Sequence, residues 1–130
     1  MVDSQIISIV DDDDSVRESL RALIRSMGFK AEIFASAEEF LNSEQLRNTD
    51  CLILDVRMPG MNGLELQDQL TANHYQIPVV FITAHGDDEA RSRALKNGAV
   101  DFLRKPFDEE SLLNAIHMAL ESKYKNSRKG

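Results

Sequence analysis

Short apolar runs alternate five times with longer stretches in which apolar residues recur every three or four positions. Ile6-Ile7-Ser8-Ile9-Val10 is β-branched and short enough for a strand. Val16, Leu20, Leu23, Ile24 and Met27 follow at helical spacing. Ser15 with Glu18 gives a capping-box signal ahead of them. Gly28 stands where a helix C-terminus favours a left-handed residue. Lys30 to Phe34 predicts a second strand, and Ser36 with Glu39 predicts another capping box for a helix holding Phe40 and Leu41. The polar stretch Asn42 to Asp50 reads as helix end and loop.

The third run, Cys51 to Leu54, ends abruptly on Asp55 and a turn rich in Pro59, Gly60, Asn62 and Gly63. Leu64, Leu66 and Leu70 predict a third helix ending near Asn73. Ile77 to Thr83 is the fourth strand, with Pro78 tolerated at its entry. Asp87 is the predicted cap of a fourth helix through Ala90, Ala94 and Leu95, stopped by Asn97-Gly98. Its apolar face is thin, so looser packing is expected. Val100 to Leu103 is the fifth strand, and Asp108 caps a last helix striped by Leu112, Leu113, Ile116, Ala119 and Leu120. Five such βα units predict an α/β fold, a doubly wound parallel sheet with helices on both faces. The barely alternating strands agree, because parallel strands are covered on both sides.

Composition narrows the class. The chain has 130 residues, the size of one domain, and 42% are hydrophobic, enough for a core. No apolar run nears the roughly 20 residues needed to cross a bilayer. No signal-peptide pattern is visible, and the lone Cys51 reads as a core residue, so a cytoplasmic protein is expected. The net charge of −7 argues against direct nucleic-acid binding by this chain. Lys123, Lys125, Arg128 and Lys129 form the one basic concentration. Residues 1–122 therefore read as the domain, and 123–130 as a tail or the start of a linker to an output domain.

Four strands end on distinctive polar residues: Asp11 and Asp12, then Asp55, then Thr83, and finally Arg104-Lys105-Pro106. In a parallel sheet these ends share one edge. Carboxylates brought together there repel one another unless a cation joins them. An oxygen-only donor set favours a hard ion, Mg²⁺ or Mn²⁺, which keeps open positions for a phosphate oxygen. Asp13 and Asp14 read instead as helix N-terminal acids. Lys105 suits an anion beside the metal, and Thr83 offers it a hydroxyl.

The segments "IVDDD", "LILDVRMPGMNG", "VVFITAHGD" and "GAVDFLRKPF" together resemble the receiver domain of two-component response regulators, CheY-like in fold, and within it the FixJ-like group. That resemblance implies a flavodoxin-like sheet of order 2-1-3-4-5. It implies a phosphoacceptor at Asp55, loaded by a sensor histidine kinase. Asp12, Asp55 and the Arg57 backbone carbonyl would bind Mg²⁺ directly, with Asp11 acting mainly through water. Thr83 and Phe102 match the switch positions, and Lys105 the lysine that pairs with the phosphoryl group. Arg57 and His85 match positions that tune phosphoryl lifetime. The Lys105-Pro106 bond is expected cis. A homodimer through the fourth helix, fifth strand and fifth helix on phosphorylation is implied, as is a place at the front of a transcriptional regulator. A single-domain regulator is the alternative. An enzyme is not expected: the aspartyl-phosphatase superfamily needs an acid two residues after its nucleophile, and here that residue is Arg57.

Overall fold

In the computed structural model, residues 5–84 and 88–129 are described, with the backbone alone over 123–129. Five strands, β1 (Ile6–Val10), β2 (Lys30–Phe34), β3 (Cys51–Asp55), β4 (Val79–Thr83) and β5 (Asp101–Arg104), form one sheet of order β2-β1-β3-β4-β5. Every pairing is parallel. The helices are α1 (Asp14–Ser26), α2 (Ala37–Leu41), α3 (Gly63–Ala72), α4 (Asp88–Lys96) and α5 (Glu109–Lys129). The fold is the flavodoxin-like doubly wound sheet expected from the sequence.

Two apolar layers flank the sheet. On one face Val10, Leu52, Leu54 and Phe81 meet Phe40 of α2, Leu66 and Leu70 of α3, and Ala90 and Ala94 of α4. On the other, Ile7, Ile9, Ile53 and Ile82 meet Leu20 and Ile24 of α1 and Leu112, Ile116 and Ala119 of α5. All residues of β3 and β4 are buried, which explains their unbroken apolar runs. Each fully buried Ile or Leu contributes on the order of 2 kcal/mol.

The helix starts differ in detail from the sequence reading. Asp13, not Ser15, caps α1: its Oδ1 accepts from the amides of Ser15 and Val16 at 2.8 and 3.2 Å. A carboxylate there also meets the positive end of the helix dipole, so the helix begins earlier and Ser15 falls inside its first turn. Ser36 does cap α2, accepting from the Glu39 amide, but Glu39 reaches back to Ala35 rather than to Ser36 itself. The full capping box belongs to Asn62 and Glu65 at α3. A short 3-10 turn, Glu44–Leu46, lies in the stretch expected to be loop. Pro78 stays outside β4, which starts at Val79, and β5 begins one residue later than expected. Gly28 has the expected positive φ of 96°. Asp108 caps α5 through the Ser111 amide. The expected Asp87 cap lies outside the described residues. The backbone of α5 remains helical through Lys129, across the stretch expected to be tail.

α4 is lightly anchored, as its thin apolar face predicted. Only Ala90 and Ala94 are buried among its described residues. A buried hydrogen bond, donated by Gln67 Nε2 to the Ala94 carbonyl at 3.1 Å, and a half-exposed Arg93–Asp68 ion pair at 2.6 Å hold it to α3. Such an ion pair is worth about 1 kcal/mol or less.

Cys51 is fully buried in β3, and burial pushes its thiol up to about 12. The native protein is therefore expected to resist a thiol reagent at neutral pH and to react only on denaturation. Modification of Cys51 at the rate of a free thiol would contradict this packing.

Candidate functional site

Register builds the site. Val10 pairs with Leu54, so the next residues, Asp11 and Asp55, emerge side by side at the C-terminal edge of the sheet. Thr83 pairs with Arg104, and the Lys105 amide donates to the Thr83 carbonyl at 2.7 Å, so Lys105 follows at the same edge. Carboxylate oxygens of Asp11, Asp12 and Asp55 all lie within 4.8 Å of one another. Lys105 Nζ reaches Asp11 Oδ2 at 3.1 Å.

Asp11 and Asp55 are buried, while Asp12 is exposed. Burial, with the charge of Asp11 beside it, pushes the Asp55 carboxyl up to about 6. Lys105 and a hydrogen bond from the Arg57 amide pull the other way without cancelling this. Asp11 is engaged at every polar atom. Its amide donates to the Phe34 carbonyl, Oδ1 accepts from the Asp13 amide at 2.9 Å, Oδ2 takes Lys105, and its carbonyl accepts from Arg17 Nη1 at 2.7 Å.

The loop after Asp55 is held from several sides. Val56 and Met58 are buried, and the Val56 amide donates to the Ile82 carbonyl at 3.3 Å. The Gly63 amide donates back to the Val56 carbonyl at 2.9 Å. Glu38 of α2 accepts from the Met61 amide at 3.1 Å. A Cβ at Gly63 would stand 2.2 Å from the Asp55 carbonyl oxygen, so only glycine lets α3 start this close to β3.

Thr83 is buried at the end of β4. Phe102 is half-buried and stands beside Phe81, with ring centroids 5.9 Å apart. Phe81 and Phe102 are register partners packed into the layer that α3 and α4 cover. By strand alternation Thr83 shares that side of the sheet. The Lys105-Pro106 bond is cis.

The sequence profile of the response regulator receiver domain matches residues 7–117. The chain belongs to this receiver family. It is 51% identical to the response regulator protein TodT of Pseudomonas putida over 118 residues, 91% of this chain and 52% of that protein. The transcriptional regulatory protein FixJ of Azorhizobium caulinodans is 41% identical, across 92% of this chain and 57% of its own length. The solved structure of the response regulator StyR superposes with a TM-score of 0.90 at 50% identity, covering 98% of this chain and 64% of that one. The receiver thus spans about half the length of the curated relatives it matches.

Every site residue named from the sequence falls at this one edge except Phe102, which lies within β5, and His85, which is outside the described residues. Receivers are signalling modules, and this one presents an acid cluster suited to a cation. The donor set is oxygen-only, and three carboxylates stand within 4.8 Å of one another, so the residues fit a hard divalent ion. No helix among the described residues is long and apolar enough to cross a membrane. Sequence reasoning missed Gly63 and Arg17 as supports of the receiver site. The Asn62–Glu65 spacing, a capping-box signature, could have flagged the α3 start. Nothing in the linear sequence points from Arg17 to Asp11.

Proposed function

We propose that this receiver accepts a phosphoryl group on Asp55 from the phosphohistidine of a sensor histidine kinase. The observation that carries the reading is the convergence of three carboxylates and Lys105 on one sheet edge. Asp55 Oδ attacks phosphorus, the P–N bond to the donor imidazole breaks, and the imidazole nitrogen keeps the bonding pair and takes up a proton. An acyl phosphate on Asp55 results. Asp12, Asp55 and the Arg57 carbonyl are the proposed Mg²⁺ ligands, with Mn²⁺ as a substitute, and Asp11 acts through water. Asp11 fits that outer role because both its carboxylate oxygens are already engaged. A bound Mg²⁺ neutralises charge on the phosphoryl oxygens. Lys105 pairs with one of those oxygens by exchanging its bond to Asp11.

The phosphorylated state draws the Thr83 hydroxyl toward the new anion, and Phe102 turns into the space this leaves. α4 is the element free to follow, because among its described residues only Ala90 and Ala94 are buried and its ion pair to α3 is half-exposed. The α4–β5–α5 surface is then the proposed homodimer face. The lengths of TodT and FixJ support a further output domain, and FixJ's name supports transcriptional regulation. DNA contact belongs to that domain, since this chain carries a net charge of −7. A kinase-driven relay of this kind operates in the cytoplasm.

The test is incubation with acetyl phosphate and Mg²⁺, followed by intact mass and reductive trapping of the acyl phosphate. One phosphoryl group per chain, mapped to Asp55 and absent when the divalent ion is chelated before acetyl phosphate is added, is the expected result. No mass gain, or a phosphoryl group mapped elsewhere, overturns the reading.

A further inference from the structure

We propose that Arg17 is a positioning residue that holds the β1–α1 loop in the shape able to take a divalent cation; this rests on the metal reading above. Arg17 lies in the first turn of α1, with only 13% of its side chain exposed. Nη1 donates to the Asp11 carbonyl at 2.7 Å, and Nη2 pairs with Asp14. One planar fork therefore ties the last backbone group before Asp12 to the start of the helix. The Asp11 side chain is fixed independently, by the Asp13 amide and by Lys105. The Asp11 carbonyl also belongs to the peptide bond that leads into Asp12. Asp12 itself is exposed and is the acid of the three that packing leaves least constrained. Fixing the peptide before it is the means by which the chain places its carboxylate near Asp55.

The alternative role for Arg17 is as a charge, and the two roles predict opposite signs. A guanidinium close to a cation site disfavours the cation, so removing it would tighten binding if charge were all that mattered. If Arg17 positions the loop, removing it weakens binding although the site becomes more negative. Residues that orient metal ligands from behind commonly carry roughly 10-fold or more in affinity.

The experiment is titration of the chain with Mg²⁺ alone, by calorimetry or amide chemical shifts, for the parent, R17M, R17K and D14N. R17M keeps the aliphatic stem and is expected to bind roughly 10-fold more weakly. R17K, which offers the Asp11 carbonyl one donor on a flexible stem in place of a rigid planar fork, should recover part of the loss. D14N keeps the bond to Asp11 and should change affinity by no more than about twofold. Without any metal, the Asp13 amide, which donates to Asp11, should exchange with solvent faster in R17M while the amides of β3 keep their protection. Binding by R17M as tight as the parent, or tighter, overturns the proposal. If R17M does not fold, R17K decides alone, since affinity equal to the parent's overturns it. A parent chain that binds no Mg²⁺ would instead remove the metal reading itself, and with it this inference.

Discussion

Asp55→Asn is expected to abolish phosphoryl incorporation and, in divalent-free buffer at about pH 7.5, to raise the melting temperature by roughly 5–10 °C. The first effect follows because an amide is no nucleophile. The second follows from burial of the Asp55 carboxylate, with the charge of Asp11 beside it. The Asp55 carboxyl titrates near about 6 when folded, against an ordinary 3.8. Between those values the folded state holds more proton than the unfolded one, so stability falls as pH rises through that window. Above it the parent has lost on the order of 2–3 kcal/mol relative to a neutral side chain. Asn keeps the shape without the charge. The gap between variant and parent should therefore be full above about pH 6.5 and close towards about pH 4. Mg²⁺ at about 100 times its Kd should narrow it as well, by stabilising the parent by roughly 2.7 kcal/mol. Melting curves across that pH range check all three points. A variant that melts below the parent at the higher pH, or a gap independent of pH, would show that Asp55 is not held against its charge.

The same acids show what was readable in the linear sequence. Asp11, Asp55, Thr83 and Lys105 each stand at the end of an apolar run, and a parallel sheet carries all such ends to one edge. Register then does the rest, because Val10 opposite Leu54 makes Asp11 and Asp55 neighbours. What was not readable depends on contacts between loops and helix starts. Asp13 and Ser15 are both good caps by type, and the choice between them depends on where the β1–α1 loop turns, which Asp11 sets by accepting the Asp13 amide. Arg17 looks like any charged residue on a surface helix until its guanidinium is seen on the Asp11 carbonyl. The helical path of α5 beyond Glu121 was hidden because a polar, basic stretch has no apolar stripe to mark it.

Gly63→Ala is expected to cost about 3 kcal/mol and to weaken Mg²⁺ binding and phosphoryl uptake in whatever fraction stays folded. Propensity alone predicts the opposite sign. Gly63 opens α3 without a positive φ, and alanine in a helix is ordinarily better than glycine by up to about 1 kcal/mol. The clash outweighs this because of what the new methyl would meet. Its nearest neighbours are the Asp55 carbonyl oxygen at 2.2 Å, the Asp55 carbonyl carbon at 3.0 Å and the Phe81 ring at 3.1 Å. A flexible side chain could swing away, but a backbone carbonyl at the end of a paired strand cannot. β3 is held by its register with β4, and the Val56 amide is bonded to the Ile82 carbonyl. From the other side, the Gly63 amide is bonded to the Val56 carbonyl, and the Asn62–Glu65 capping box fixes the first turn of α3. Relief requires either the strand end or the helix start to move. The first displaces Asp55 from Asp11 and Asp12, and the second loosens the loop that carries Arg57. Thermal melts of parent and variant, with Mg²⁺ titrations below both transitions, separate the two costs. A variant as stable as the parent would mean that α3 does not approach β3 this closely. One that is less stable but binds Mg²⁺ normally would place the adjustment in α3 and leave the acid site untouched.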